Sequence, residues 1–362
     1  MFAYRRTIEH WGNTRTAAGY FQPSSRGTQE GRAEQMRAVL VEQYGGPQVL
    51  TAVELAEPEP GPGQVAIDVA YAGVNFADAL ARRDGYQVMS LPFVPGLEVS
   101  GTVRALGPGA AGFAVGQQVA AFTPSGGGYA EIAVADAASV YPLPEGTDLR
   151  EAAAWLAVLP TAYALINGPA GPAQGESVLV HSAAGGVGTA AGQFAKAAGA
   201  ANVYGVVSSS DKATYALRFG YDRVFVGDEY IEALPEATGG LGVDVILDPV
   251  GGDTLRANLK LLARFGRLLS FGNASAQETW QVGPAELYPR GLGVFGFSIR
   301  AFSRDDPARL RKLTESAIDA AVKAGVELPV TGEYALDDAA EAHRLIESRS
   351  TTGKLLIRVA AG

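Results

Sequence analysis

The stretch VLVHSAAGGVG, residues 178–188, decides the fold of the chain. It indicates a short apolar strand, a glycine-rich turn and the start of a helix. Gly185 and Gly186 allow the backbone to turn tightly and to approach a phosphate, and Gly188 allows the helix to pack on the strand. The free amides and positive dipole end of such a helix face an anion. The stretch predicts a pyrophosphate cradle of Ala184, Gly185, Gly186, Val187 and Gly188.

One position departs from the usual dinucleotide-binding pattern. Ala183 stands where G-x-G-x-x-G has its first glycine, so the motif alone is imperfect. Its context favours the cradle, because a strand pattern precedes it, and a helix pattern and a second strand pattern follow. The alternative is an ordinary glycine-rich turn between a strand and a helix, with no ligand.

The chain around this stretch alternates between strand and helix patterns. The predicted strands are residues 177–181, 202–207, 223–226, 243–247 and 267–271, and the predicted helices between them are residues 189–198 and 212–219. This alternation is typical of a doubly wound α/β domain with a parallel sheet. We assign residues 158–297 to that domain.

The chain before this domain is rich in short strand patterns instead. Those patterns cover residues 37–41, 65–72, 101–106, 118–122 and 130–134. Turn signals containing Gly and Pro separate them, which is typical of a small barrel or sandwich. After the α/β domain, a long helix (304–324) and a last strand (354–359) are predicted to return the chain. We therefore assign residues 36–157 and 298–362 to one β-rich domain.

Composition excludes several classes of function. The chain has 362 residues, 29 basic and 38 acidic, so its net charge of −9 disfavours binding to nucleic acids. It has no cysteine and three histidines, which excludes disulfides, thiolate catalysis and zinc sites with cysteine ligands. We identify no apolar run long enough to span a membrane and no export signal, so we expect a cytoplasmic protein.

Residues 1–35 have no sustained apolar period and are rich in Gly, Ser, Thr and Arg. We expect a disordered extension, or a start codon assigned too early, since Met36 opens the first clear strand. An organellar or regulatory leader is the alternative.

The tip of the strand at 202–207 predicts which nicotinamide cofactor binds. A site for NAD usually has an acidic residue there, to bind the ribose hydroxyls. Here Ser208 and Ser209 follow the strand and Lys212 comes shortly after, which suits a 2′-phosphate and predicts NADPH. Asp211 is the residue that favours NAD. Alternatively, Ser210 or Asp211 only caps the helix that begins near Lys212.

Five short stretches occur in the order and spacing of a known family. They are GVNFAD (73–78), PGLEVSG (95–101), AAGGVG (183–188), SFGN (270–273) and TGK (352–354). The chain resembles the zinc-free medium-chain dehydrogenases/reductases, in particular the NADPH:quinone oxidoreductase (zeta-crystallin-like) branch. The resemblance implies a GroES-like catalytic domain with an inserted Rossmann domain for NADPH, and a homodimer.

The metal ligands of the zinc-dependent relatives are missing from this sequence. Leu97 occupies the position of a ligand histidine, and no cysteine is available. Oxidation of a simple alcohol needs a metal or a base to deprotonate the hydroxyl group, whereas a conjugated acceptor takes up hydride more easily. We therefore predict metal-free hydride transfer from NADPH to a quinone or an α,β-unsaturated carbonyl. An enoyl-thioester reductase, or a non-catalytic protein that binds NADPH or RNA, is the alternative.

The resemblance also implies the site residues. It places Asn75 beside the nicotinamide as a possible donor to the substrate oxygen, or as a residue that only fixes its loop. It makes Tyr86 a proton donor or a wall of the pocket. The further residues that it implies at the cofactor are Asp78, which could instead only orient its loop, Thr161, Phe271, Gly272, Asn273, Arg349 and Lys354. For Arg349 and Lys354, phosphate contact and a solvated surface charge are both open. Pro160 stands where the family usually has a small residue.

Overall fold

A computed structural model of the chain describes residues 34–84, 86, 90–277 and 281–360. The predicted extension, 1–35, lies outside the described residues apart from its last two positions, and Gln35 already belongs to the first strand. Within these ranges, no helix combines the length and the apolar character needed to cross a membrane.

Strands and helices follow one another along the described chain. The strands are β1 (Gln35–Val41), β2 (Leu50–Ala56), β3 (Gln64–Val74), β4 (Glu98–Leu106), β5 (Gln118–Phe122), β6 (Ile132–Asp136), β7 (Val140–Pro142), β8 (Ser177–His181), β9 (Asn202–Val207), β10 (Arg223–Val226), β11 (Val243–Asp248), β12 (Leu262–Ser270), β13 (Gly293–Gly296), β14 (Val330–Ala335) and β15 (Lys354–Arg358). The α-helices are α1 (Phe76–Asp84), α2 (Leu149–Ala152), α3 (Leu159–Asn167), α4 (Gly186–Ala197), α5 (Ser210–Ala216), α6 (Tyr230–Ala237), α7 (Gly252–Leu261), α8 (Pro284–Leu287), α9 (Ile299–Asp305), α10 (Pro307–Ala324) and α11 (Ala339–Glu347).

The first large sheet joins the two ends of the described chain. Its strand order is β14-β15-β3-β4-β5-β7, and β6 pairs with β3. The last strand, β15, runs antiparallel to β3, with Leu355 opposite Val74. Apolar side chains such as Val65, Ile67 and Val99 are fully buried beneath this sheet. This pairing places the residues around Lys354 beside those that follow β3.

The second large sheet is parallel throughout, with the order β10-β9-β8-β11-β12-β13. Val178, Leu179 and Val180 of β8 are fully buried, as expected for a parallel strand covered on both faces. The strand order reverses between β8 and β11, and such sheets bind ligands outside the carboxyl ends of their strands at that point. The predicted fold class, a β-rich domain with a doubly wound α/β domain, is confirmed. The domain boundaries stay predictions.

The prediction of one long helix over residues 304–324 is wrong about where that helix begins. The structure has two helices there, α9 and α10, which meet at Asp306. Asp306 adopts a non-helical conformation (φ −150°, ψ 71°) because Pro307 follows it, and its side chain accepts a hydrogen bond from the amide of Arg309. The Asp-Pro pair was a helix-start signal that periodicity alone did not reveal.

Replacing Asp306 by Ala is expected to lower the free energy of unfolding by about 1 kcal/mol, because the first turn of the 18-residue helix α10 loses its cap. Asp305→Ala is the matched control, since Asp305 is exposed and pairs only with its neighbour Arg304. Chemical denaturation measures both. Equal effects of the two substitutions would contradict the capping role.

Candidate active site and cofactor cleft

The glycine-rich turn between β8 and α4 has a different geometry from the one predicted. The left-handed residue is Ser182 (φ 54°), whereas Gly185 has φ −79° and caps the helix. Gly188 does allow close packing, because a Cβ atom there would lie 2.3 Å from the carbonyl oxygen of Ser182. The turn is therefore made by a serine, and the glycines serve close approach.

The end of the chain packs directly against this turn. The amide of Gly353 donates to the carbonyl oxygen of Ala184 at 2.8 Å, and a Cβ atom on Gly186 would lie 2.9 Å from Cδ of Lys354. The first amides of α4, from Gly186 to Gly188, have no carbonyl partner within the helix. This helix start, which includes Val187, fits an anion. Binding of pyrophosphate there stays a prediction.

A cluster of cations and hydroxyls lies at the end of β9. Ser208 Oγ donates to the carbonyl oxygen of Arg349 at 3.2 Å, and Lys212 Nζ donates to the same oxygen. Partial burial lowers the pKa of Lys212, and the nearby positive charge of Arg349 lowers it further. A bound anion would stabilise both charges. The structure thus brings Ser208 and Lys212, which were predicted to bind a 2′-phosphate, together with Arg349, which the resemblance placed at the cofactor and which is 137 residues from Lys212. Binding of a 2′-phosphate there stays a prediction.

The alternative prediction, that Ser210 or Asp211 caps helix α5, is wrong. Ser210 and Asp211 lie inside the helix, so neither is its N-cap. Ser209 occupies the N-cap position, and its side chain makes no capping hydrogen bond. The hydroxyls at the tip of β9 therefore have no capping role.

Lys354 has neither of the two roles predicted for it, phosphate contact or a solvated surface charge. Its ammonium group is buried, and it donates to Glu98 Oε1 at 2.7 Å, Asn75 Oδ1 at 2.8 Å and the carbonyl oxygen of Val74 at 3.1 Å. Three acceptors account for its three protons, so it is neither a phosphate ligand nor a solvated surface charge. The second oxygen of Glu98 accepts from the amide of Ala157 at 2.8 Å.

Asn75 belongs to the same buried cluster. Its Nδ2 donates to Glu98 Oε1 at 3.0 Å, while its Oδ1 accepts from Lys354. The other Nδ2 proton faces the carbonyl oxygen of Gly73 at 3.4 Å. The amide is therefore held by the protein, which supports the loop-fixing alternative. Its predicted contact with the nicotinamide stays a prediction.

Asp78 connects the loop of Asn75 with the loop of Gly96. We call the space between these loops, the start of α4 and the end of β12 the cleft. Its carboxylate accepts from the amides of Asn75 at 2.9 Å and Gly96 at 3.2 Å. Burial raises the pKa of Asp78 to about 7, although those amides and Lys354 oppose the shift. This geometry supports the loop-orienting alternative rather than direct contact with the cofactor.

Thr161 and Pro160 begin helix α3 without distortion. Pro160 lies in the first turn, where its missing amide proton costs nothing. The hydroxyl of Thr161 donates to the carbonyl oxygen of Ala157 at 2.7 Å, so it has only its lone pairs to offer a nicotinamide. The departure at Pro160 thus leaves the local helix intact.

The predicted stretch Phe271, Gly272 and Asn273 follows β12 at the carboxyl edge of the parallel sheet. The amide of Phe271 donates to the carbonyl oxygen of Asp248 at 3.0 Å, and Asn273 Oδ1 accepts from Ser275 at 3.0 Å. These contacts place the stretch beside the end of β11, at the rim of the cleft. Contact with the nicotinamide stays a prediction.

A buried network beneath this edge was not predicted. Asp248 accepts from the amides of Val250 at 2.6 Å and Gly251 at 3.0 Å, and its other oxygen accepts from Asn258 at 3.1 Å. Asn258 Oδ1 in turn lies 2.9 Å from His181 Nε2. His181 is therefore a buried histidine with a hydrogen-bond partner. An aspartate at the end of a buried strand was the available sequence signal.

Two charged residues of the cleft, Glu98 and Arg300, were not predicted as site residues. Nη1 of Arg300 is fully buried and has no hydrogen-bond partner in the described chain. Burial lowers the pKa of Arg300, while interactions with Asp78 and Tyr86 raise it. Tyr86, predicted as a proton donor or a pocket wall, is half-buried and lies close enough to Arg300 for this effect.

Leu97, at the position of a zinc ligand in the metal-dependent relatives, lies in an apolar environment. It is buried in a cluster that includes Phe122, Tyr141 and Leu156. Within the described ranges, no group of three or more His, Cys, Asp or Glu residues is placed to hold a metal ion.

The chain is similar to known proteins in sequence and in fold. The family model for an alcohol dehydrogenase GroES-like domain matches residues 61–145, and the one for a zinc-binding dehydrogenase matches residues 186–321. Quinone oxidoreductase of Rattus norvegicus is 33% identical over 327 residues, covering 89% of this chain and 97% of its own length.

Solved structures agree with these matches. Escherichia coli quinone oxidoreductase, solved with NADPH, superposes with a TM-score of 0.81 at 30% identity, covering 90% of this chain and 99% of its own. A mycobacterial protein solved with NADPH superposes with a TM-score of 0.82 at 33% identity, covering 89% and 99%.

Replacing Lys354 by Met is expected to destabilise the protein by about 3–5 kcal/mol, because Glu98 then stays buried without its counter-ion. Adding Glu98→Gln should recover most of the loss. Lys196→Met is the control, since Lys196 and Asp222 are 2.6 Å apart but more than a third exposed, and such pairs contribute at most about 1 kcal/mol. Free energies of unfolding measure all three. Equal losses for Lys354→Met and Lys196→Met would contradict the buried pair.

The pKa of Asp78 predicts a pH dependence of stability. Because folding raises this pKa from its ordinary value to about 7, the native state holds a proton that the unfolded state has lost. Stability from this group is present at low pH and declines by about 1.4 kcal/mol per pH unit as pH rises from about 4 to about 7. Asp78→Asn should lack this slope. Identical pH profiles of Asp78→Asn and the wild type would contradict the assignment of this slope to Asp78.

Proposed function

The chain belongs to the quinone oxidoreductase branch of the medium-chain dehydrogenases/reductases, and on this premise we propose that it transfers a hydride from NADPH to a quinone or an α,β-unsaturated carbonyl. The observation that carries the proposal is the cluster of Ser208, Lys212 and Arg349 at the tip of β9, in the strand next to the glycine-rich turn. A dinucleotide laid across the carboxyl edge of the sheet would place its pyrophosphate at the start of α4 and its 2′-phosphate at this cluster.

The residues of the cleft suit an acceptor that is already electron-poor. NADPH, when bound, supplies the hydride. The protein has to hold the acceptor in place, exclude water and provide hydrogen-bond donors for the oxygen on which charge develops. Leu97 and its apolar neighbours provide no ligand for a metal. Tyr86 and Arg300 are the donors that we assign to the acceptor side of the cleft.

A homodimer is the assembly that we propose. Strand β13 ends the parallel sheet, and its Phe295 is 47% exposed. Phe265 and Tyr288 are also large, apolar and exposed. Edge strands and exposed apolar side chains favour pairing with another chain. Sedimentation that gives the mass of one chain would contradict the dimer. The cytoplasmic location and the absence of a nucleic-acid partner stay predictions of the sequence.

The test of the cofactor site is Lys212→Ala. Loss of a charge-assisted contact with a 2′-phosphate is expected to lower kcat/KM for NADPH by on the order of 10- to 100-fold and to leave NADH nearly unchanged. Arg218→Ala is the control, because it removes a positive charge just beyond the other end of α5. Equal losses with both coenzymes would assign Lys212 another role.

The acceptor is tested by NADPH oxidation with a benzoquinone, a simple enone, crotonyl-CoA and ethanol's oxidation product, acetaldehyde. Turnover of the quinone or the enone supports the proposal. Turnover of crotonyl-CoA alone would favour an enoyl-thioester reductase. A salt-dependent shift of RNA without any turnover would favour a binding protein. Vigorous turnover of acetaldehyde alone would overturn the proposal.

A further inference from the structure

One nitrogen of the Arg300 guanidinium group is buried without a partner. The Arg300 side chain as a whole is half-buried, and its Nη1 atom is inaccessible to water and has no hydrogen-bond partner in the described ranges. Arg82, another arginine with buried nitrogen atoms that lack hydrogen bonds, still has Glu347 at 2.6 Å. A buried charge without a partner is costly, and such groups concentrate at functional sites.

Backbone contacts place Arg300 between the two large sheets. The amide of Phe297 donates to the carbonyl oxygen of Ser270 at 2.9 Å, which sets the start of α9 beside the end of β12. Ile299 and Phe302 of the same helix pack on the cluster that contains Leu97. Helix α9 therefore reaches from the rim of the cofactor cleft to the position where zinc-dependent relatives carry a metal ligand.

No carboxylate of the described residues forms an ion pair with Arg300, although the nearby Asp78 raises the pKa of this arginine. Glu98 and Lys354 neutralise each other at 2.7 Å. Asp78 accepts hydrogen bonds from two backbone amides, and among the described residues no ion pair links it to Arg300. The cleft thus holds a guanidinium group that an anion, or a negative charge developing on a substrate, would neutralise.

The proposed reaction creates such a charge. A hydride leaves C4 of the nicotinamide with both electrons of its C–H bond and bonds to the β-carbon of an enone, and the C=C electron pair shifts to give an enolate. NADPH is thereby oxidised to NADP⁺, the acceptor is reduced by two electrons, and its oxygen gains a full negative charge. A proton from Tyr86 or water then completes the product. With a quinone, the same hydride gives a hydroquinone monoanion, which is protonated on oxygen.

We propose that Arg300 donates a hydrogen bond to the acceptor oxygen and stabilises the negative charge that hydride transfer places on it, as a Lewis-acidic metal does in zinc-dependent dehydrogenases. This inference rests on the proposed function. It assigns the electrophilic part of the reaction to a residue on α9, outside the motifs that carry the family resemblance. It also predicts acceptors whose oxygen develops charge, rather than acceptors that need a base.

The experiment compares Arg300→Met, Arg300→Lys and the control Arg304→Met, in which an exposed arginine of the same helix is removed. Loss of one donor to a developing oxyanion typically lowers kcat by about 10²–10³-fold. We expect that loss in kcat for an enone with Arg300→Met, an unchanged KM for NADPH, and partial activity with Arg300→Lys. Methylguanidinium should restore part of the activity of Arg300→Ala. Arg304→Met should behave as the wild type.

Thermal unfolding separates this role from a structural one. Removing an unpartnered buried cation should leave the melting temperature of Arg300→Met unchanged or raise it, whereas a structural arginine would lower it. Full activity of Arg300→Met would overturn the proposal. So would a loss of activity that parallels a lower melting temperature in Arg300→Met, together with no rescue of Arg300→Ala by methylguanidinium. Failure of the wild type to reduce any quinone or enone would instead overturn the proposed function, so the two failures are distinguishable.

Discussion

The buried ion pair between Glu98 and Lys354 is the interaction on which the cleft depends. Each charge is almost fully removed from water, so each needs the other, and removing one partner costs far more than breaking an exposed pair. Through this pair, β4 and β15 hold the loop of Asn75, the amide of Ala157 before α3 and, through the lysine stem, Gly186 at the cofactor turn. One contact thus joins the acceptor side of the cleft to its cofactor side.

The same pair also sets the electrostatics of the cleft. Because Glu98 and Lys354 form an ion pair, the remaining charged groups of the cleft are Asp78, whose pKa burial raises to about 7, and Arg300, whose buried Nη1 has no hydrogen-bond partner in the described chain. A positive charge in a poorly solvated cleft favours a reaction that turns a neutral acceptor into an anion. Leu97 and its apolar neighbours surround this region with buried side chains.

Local sequence patterns predicted the parallel sheet, the place of the turn between β8 and α4, and the polar residues at the tip of β9, because neighbours in sequence make those features. They did not predict that Ser182, rather than a glycine, adopts the left-handed conformation of that turn. The contact between Lys212 and the carbonyl oxygen of Arg349 was not predicted, and the family resemblance placed Arg349 only at the cofactor. Lys354 was misjudged because its partners lie 256 and 279 residues away, and no local pattern reports such a pairing. Arg300 has no motif around it, so only its burial reveals it. The break at Asp306, by contrast, had a local signal in the proline that follows.

Direct transfer of a hydride from NADPH to an electron-poor acceptor, without a metal, is the reaction that we propose for this cleft. It is tested most directly with NADPH deuterated at both C4 positions and an enone, using protein dialysed against a strong chelator. We expect the dialysis to leave the rate unchanged and the product to carry deuterium on its β-carbon. A product without deuterium, or a rate that the chelator abolishes and zinc restores, would contradict it.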